Sequence, residues 1–162
     1  MDFKPLIGTE EATLDDKGRI LVSKKKRERL GENFVLLWGD LGCLVAYPES
    51  VWLRVAGEVL DAPSINRGRD MLTRLMMGEA VDELNCDQQG RFVIPNKLKE
   101  KAQLKKDVLL IGLGDRVEIW AKELWEEFQK YPDVYGRERR AAFEKAYDLL
   151  SQGGGTWQPT SP

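Results

Sequence analysis

The chain has 162 residues, room for one domain or for two small ones packed on a shared core. Its 25 basic and 27 acidic side chains leave a net charge of −2, so it is no uniformly basic coat for nucleic acid, and what matters is where the charges lie. Histidine is absent, which removes the commonest general base and metal ligand at neutral pH, and the two cysteines, Cys43 and Cys86, show neither metal nor redox spacing.

In chain order, residues 10–14 read as a strand entering a tight turn at Asp15-Asp16-Lys17-Gly18-Arg19, and 19–22 as the strand leaving it. Ser23 caps a short basic helix over 24–30, which Gly31 ends. A strand at 34–38, a turn at Gly39-Asp40-Leu41-Gly42 and a strand at 43–47 lead into a helix over 49–60 opened by Pro48. Asp61-Ala62-Pro63-Ser64 breaks the chain, and 65–78 is a helix with Met71, Leu72, Leu75 and Met76 on its apolar face.

The same order then returns. Strands at 83–85 and 91–94 flank the turn Asp87-Gln88-Gln89-Gly90-Arg91, and Pro95 opens a helix over 96–102. Strands at 107–111 and 116–120 flank Gly112-Leu113-Gly114-Asp115, and a helix covers 122–130. Gly112-Leu113-Gly114 lacks the third glycine of a dinucleotide fingerprint and reads as a turn. A charged helix spans 137–150, and the Gly-, Ser-, Thr- and Pro-rich stretch 151–162 is expected to be disordered. Trp52, Trp120, Trp125 and Phe128 have apolar neighbours and are expected in the core. The thiols of Cys43 and Cys86 are expected reduced and partly buried. The chain carries no apolar run long enough for a bilayer and no signal pattern at its start, so a cytoplasmic location is expected.

The repetition is a tandem duplication. The Asp-x-x-Gly-Arg motif recurs at an offset of 72, and Val35-Leu36-Leu37-Trp38-Gly39 matches Val108-Leu109-Leu110-Ile111-Gly112 at 73. In each turn glycine, Gly18 or Gly90, supplies a positive φ. Asp15 and Asp87 can accept backbone amides across the turn and clamp the arginine four residues on. A clamped guanidinium is pre-oriented, and its planar fork suits phosphate oxygens or the O6 and N7 of guanine. Arg19 and Arg91 are therefore the candidate base readers. Lys17 and the run Lys24, Lys25, Lys26 and Arg27 abut the first turn and form a candidate phosphate patch. Aromatic residues are not interleaved with the basic ones, which argues against stacking on single strands.

The two turns, with Leu14 to Ile20, Gly78-Glu79-Ala80-Val81, Asp87 to Pro95 and Val117-Glu118-Ile119-Trp120, resemble the MraZ family of bacterial transcriptional regulators, within the AbrB and MazE superfamily. The resemblance covers about residues 5–130. It implies an α+β fold in which a tandem pseudo-repeat of β-hairpin, short helix and β-hairpin forms a swapped-hairpin β-barrel with flanking helices. The units would be 5–60, a linker helix at 61–79, 80–130, a C-terminal helix at 131–150 and the tail. It implies sequence-specific binding of double-stranded DNA at short direct repeats upstream of the division and cell-wall gene cluster, by a ring-like homo-oligomer at the nucleoid. The apolar helices at 51–60 and 65–77 would offer surfaces for that assembly. No cofactor and no membrane is implied. The family often has proline where this chain has Ser23. The rival within the superfamily is an antitoxin-like protein whose tail wraps a toxin. A carboxylate enzyme built on Asp15 and Asp87 is disfavoured, since an arginine beside each should hold both ionised.

Overall fold

The computed structural model describes residues 4–133 and 136–157. The first half runs β1 (Thr9–Thr13), β2 (Arg19–Leu21), α1 (Lys24–Leu30), β3 (Phe34–Trp38), β4 (Leu44–Pro48) and α2 (Glu49–Leu60). After α3 (Arg67–Met77), the second half runs β5 (Val81–Leu84), β6 (Arg91–Val93), α4 (Asn96–Lys101), β7 (Asp107–Gly112), β8 (Val117–Ala121) and α5 (Lys122–Lys130). The chain is thus mixed α+β.

Local chemistry sets many of these boundaries. Ser23 Oγ accepts from the Lys26 amide at 3.3 Å and so starts α1, while Gly31, at φ 84°, stops it. Gly42, also at positive φ, closes the turn between β3 and β4, where the Gly39 amide donates to Cys43 O at 2.7 Å.

The halves do not fold separately. Six strands form one antiparallel sheet in the order β1-β7-β8-β4-β3-β5, so β1 of the first half pairs with β7 of the second, and β5 of the second with β3 of the first. The remaining strands, β2 and β6, pair as a separate antiparallel ribbon with Ile20 opposite Phe92. The turns expected between β1 and β2 and between β5 and β6 are present, but the arms diverge into different sheets. For that reason the expected barrel does not close. Closure needs ladders from β1 to β2 and from β5 to β6, whereas each pair is joined only across its turn.

The four central strands β7, β8, β4 and β3 are covered on both faces, which is why they are nearly continuous apolar runs, whereas the edge strands β1 and β5 are largely polar. One face carries Phe34, Leu36, Leu44, Ala46, Val108, Leu110, Val117 and Ile119, against Ile20 and Phe92 of the ribbon and Leu30 and Leu98 of α1 and α4. The Phe34 and Phe92 rings meet edge to face at 5.0 Å, fixing the ribbon on the sheet. The other face carries Leu37, Val45, Tyr47, Leu109 and Trp120 beneath α2 and α5. Trp120 is fully buried, contacting Trp125 and Phe128 at 5.2 Å each, and Trp52 and Trp125 pack partly buried on the same face. Cys43 is buried and Cys86 half-buried, both as free thiols; burial raises the pKa of each and makes it a poor nucleophile.

The last helix, α6 (Arg137–Trp157), crosses α3 and buries Phe143 and Ala146 against Leu72, Met76 and Val59. Gly68 permits the crossing, because a Cβ there would overlap the backbone of Leu149 and Leu150. Asn66, the N-cap of α3, donates from Nδ2 to Leu150 O at 3.1 Å. At the other end of α6 the Arg139 guanidinium sits over the Trp38 ring, 3.3 Å from the centroid, and donates to the Trp38 and Gly39 carbonyls at 2.6 Å each. Two expectations change here. The apolar face of α3 is occupied by α6 rather than free for assembly. The stretch 151–157, expected to be disordered, continues the helix past the turns packed on α3, although its three glycines are poor helix formers. The rest of that expected tail, 158–162, lies outside the described residues.

Candidate nucleic-acid interface

Each turn is a closed hydrogen-bonded unit. In the first, the Asp15 amide donates to Arg19 O and the Gly18 amide to Asp15 O, both at 3.0 Å. The Asp15 carboxylate then accepts the Lys17 amide at 2.9 Å and the Arg19 amide at 2.8 Å through Oδ1, while Oδ2 holds Arg19 Nε at 2.8 Å. The second turn repeats the pattern. Asp87 Oδ1 accepts the Gln89 and Arg91 amides at 2.9 Å each, and Arg91 Nε lies 3.4 Å from Oδ2, an ion pair outside hydrogen-bonding geometry. Gly18 and Gly90 take φ of 75° and 85°, a conformation open to glycine and strained for other residues.

The two turns also hold each other. The Val22 amide donates to Gly90 O at 2.9 Å, and the Ile94 amide to Gly18 O at 2.8 Å. These are equivalent bonds in opposite directions, so the ribbon has a local pseudo-two-fold axis with one arginine on each strand. Arg19 and Arg91 are each about 30% exposed in their side chains. Their Nε atoms face the aspartates, and no partner engages their terminal amines among the described residues.

The arrangement also fixes the charge of the carboxylates. The backbone amide of Arg19 beside Asp15, and that of Arg91 beside Asp87, hold both carboxyls below the ordinary aspartate range. A group held ionised in this way is a poor proton donor. Among the described residues no group of three or more metal-ligating side chains is placed to hold an ion, and no helix is long and apolar enough to cross a membrane.

The basic cluster divides into different environments. Lys17, Lys24 and Lys25 are exposed. Lys26 is not available to a partner: it is buried, with Nζ donating to Ile7 O at 3.1 Å and lying 3.2 Å from Glu10 Oε2. Its expected place in the phosphate patch is therefore corrected, because α1 turns that one side chain inward onto β1. Arg27 is half-buried; its Nε donates to Val22 O at 2.9 Å and its guanidinium covers Gly90 of the second turn. It braces the ribbon from behind. Lys4, which the sequence did not single out, joins Lys24, Lys25 and Arg29 of the basic run around an open cleft of about 850 Å³ beside Glu28. Lys4 lies 20 residues from the cluster, so no local pattern reveals it.

Fold and site define a class: an internally duplicated α+β protein whose halves exchange strands and set two arginine-bearing turns side by side. The family model described as "MraZ protein, putative antitoxin-like" matches the chain twice in tandem, over residues 6–75 and 76–143. The chain belongs to the MraZ family. It is 43% identical over 129 residues, 80% of this chain and 90% of the other, to the protein named Transcriptional regulator MraZ of Caldanaerobacter subterraneus subsp. tengcongensis. Proteins of the same name from a Thermoanaerobacter species and from Pediococcus pentosaceus are 42% and 41% identical, over 80% and 75% of this chain and 90% and 84% of theirs.

Proposed function

We propose that this chain is a sequence-specific DNA-binding transcriptional regulator that reads base edges in the major groove with Arg19 and Arg91. The observation that carries this reading is the pair of aspartate-clamped guanidinia on one pseudo-symmetric ribbon. A two-stranded ribbon fits the major groove, and an arginine fork with free terminal amines suits guanine O6 and N7. Lys17, Lys24 and Lys25 would contact phosphates, fixing position without reading sequence. The name carried by the relatives supports the regulatory role.

The target would be short direct repeats upstream of the division and cell-wall gene cluster, bound at the nucleoid by a ring-like homo-oligomer. In this reading the ribbon and its exchanged strands are the swapped-hairpin unit. The outer side of α2, where Leu53 and Leu60 are exposed seven residues apart on one helix face, is an apolar surface left for assembly once α6 covers α3. The test is selection of bound duplexes from a random pool, followed by titration of the wild type, Arg19→Ala and Arg91→Ala against the selected sequence and a scrambled one. Selective binding that both variants lose supports the reading. Both variants binding like wild type would remove the ribbon as the reading surface.

A further inference from the structure

The outer face of the ribbon carries two aliphatic side chains that packing does not explain. Leu21 is 55% exposed and Val93 52%, whereas their neighbours Ile20 and Phe92 are buried beneath the ribbon. Isolated apolar residues on a surface are ordinary. These two are not isolated in that sense. They stand 72 positions apart, so the duplication places an aliphatic at the same outward point of both halves. Each also faces an arginine across the ribbon, Leu21 opposite Arg91 and Val93 opposite Arg19.

The outward face is thus a small array, an arginine and an aliphatic on each strand, set diagonally. Directly opposed Cβ atoms in an antiparallel pair lie roughly 4.5–5.5 Å apart. Alternate residues along one strand lie roughly 7 Å apart, about two base-pair steps of 3.4 Å. An arginine seated on guanine therefore brings an aliphatic over the edge of the same base pair or of one within two steps. The floor of the major groove is almost wholly hydrogen-bonding edges, and its apolar feature is the C5-methyl of thymine. An aliphatic laid on any other edge desolvates a donor or acceptor and returns nothing.

We propose that Leu21 and Val93 read thymine methyl groups adjacent to the arginine-contacted guanines, and so set base preference where the arginines alone do not. The inference rests on the DNA-reading assignment of the ribbon made above. The test uses the full chain and a duplex recovered from the random-pool selection. Each thymine is replaced singly by deoxyuridine, which keeps every hydrogen-bonding group and lacks only the methyl. Guanines are replaced singly by 7-deazaguanine to locate the arginine contacts.

The wild type should lose about three- to four-fold in affinity at one or more thymines within two steps of a sensitive guanine, the factor that burial of one methyl-sized group supplies. In Leu21→Ala/Val93→Ala the difference between thymine and deoxyuridine should vanish while sensitivity to 7-deazaguanine stays. Both positions are exposed, so the unfolding midpoint of this variant should match wild type, and the exchange variant Leu21→Val/Val93→Leu should keep the discrimination. Equal wild-type affinity for thymine and deoxyuridine duplexes, or discrimination that survives the double alanine variant, overturns methyl reading and leaves the guanine reading standing. A fall in molecular mass on double substitution assigns the two residues to contact with a second copy and overturns it as well. Absence of any sequence-selective binding overturns both readings together.

Discussion

Asp15 and Asp87 each do two jobs with one carboxylate: Oδ1 closes the turn on two amides and Oδ2 faces the arginine. The guanidinium is thereby held before any partner arrives, which lowers the ordering cost of binding. Arg19→Ala or Arg91→Ala should cost about 1–3 kcal/mol of specific binding for each bidentate arginine–guanine pair removed, and should relax sequence preference. Lysine at either place should not restore it, because a point charge lacks the fork. The pH dependence follows from the lowered carboxyl pKa values. The folded state binds fewer protons than the unfolded one, so the turns' contribution is fully present above the ordinary aspartate range and is lost as pH falls through the folded values. Binding should be flat with respect to these groups above about pH 5 and weaken below about pH 4. Titrating affinity across that range, with Asp15→Asn/Asp87→Asn as the insensitive control, measures it. The aspartate, glycine and arginine spacing was legible in the sequence because turn chemistry is local. The fate of Lys26 was not, because its partners Ile7 and Glu10 sit on a segment remote in sequence.

At the scale of elements, α1 presents Lys24 and Lys25 while burying Lys26. Replacing the two exposed lysines with glutamine should weaken binding to all duplexes alike and flatten the salt dependence, the slope of log affinity against log salt falling by roughly 0.9 for every phosphate no longer neutralised. An unchanged slope would mark them as an ordinary solvated face. The C-terminal helix makes a stability prediction. Arg139→Ala removes a ring contact and two charged hydrogen bonds, and should cost about 2–3 kcal/mol in urea unfolding. Burial draws that guanidinium down to about 10, so it remains charged and the loss should be the same throughout the neutral range. Gly68→Ala, which wedges a methyl group into the α3–α6 crossing, should cost about 1–3 kcal/mol by the same measurement. The bounds of α1, β3 and α2 could be read from sequence because Ser23 and Gly31, an apolar run, and Pro48 mark them. The end of α6 could not, because composition alone carries no sign of the docking on α3 that anchors it.

At the scale of the molecule, the composition and the repeat were enough to expect a shared core, and that core exists. The pairing of β1 with β7 and of β3 with β5 could not be read, since each ladder joins segments whose sequences say only that they are strands. The assembly proposed above adds a further expectation. One ribbon with two arginines is a weak reader against a genome, where on the order of 10³–10⁷ discrimination is needed. Linking several ribbons on one rigid particle gains avidity of roughly 10²–10⁴. The free protein should therefore be larger than a dimer by light scattering. Duplexes with two, three and four repeats spaced near the helical period should bind progressively tighter than one. A monomer, or equal affinity for one repeat and four, would end the multivalent reading.

The exchanged strands also bear on how the chain is made. Thr9 of β1 is paired with Ile111 of β7, and at the other edge β3 waits for β5. A ribosome must make every residue from Thr9 to Ile111 before the first strand meets its mate. Until β7 is made β1 has no mate, and until β6 is made β2 has none; such unpaired edges in a nascent chain are aggregation-prone and favour slow, late folding. Leu6, buried and bridged to Gly114, waits longer for its partner than Ile20, whose opposite residue Phe92 is made earlier. Completion of the six-stranded sheet therefore waits on the segment that carries β7 and β8, not on any step within the first half.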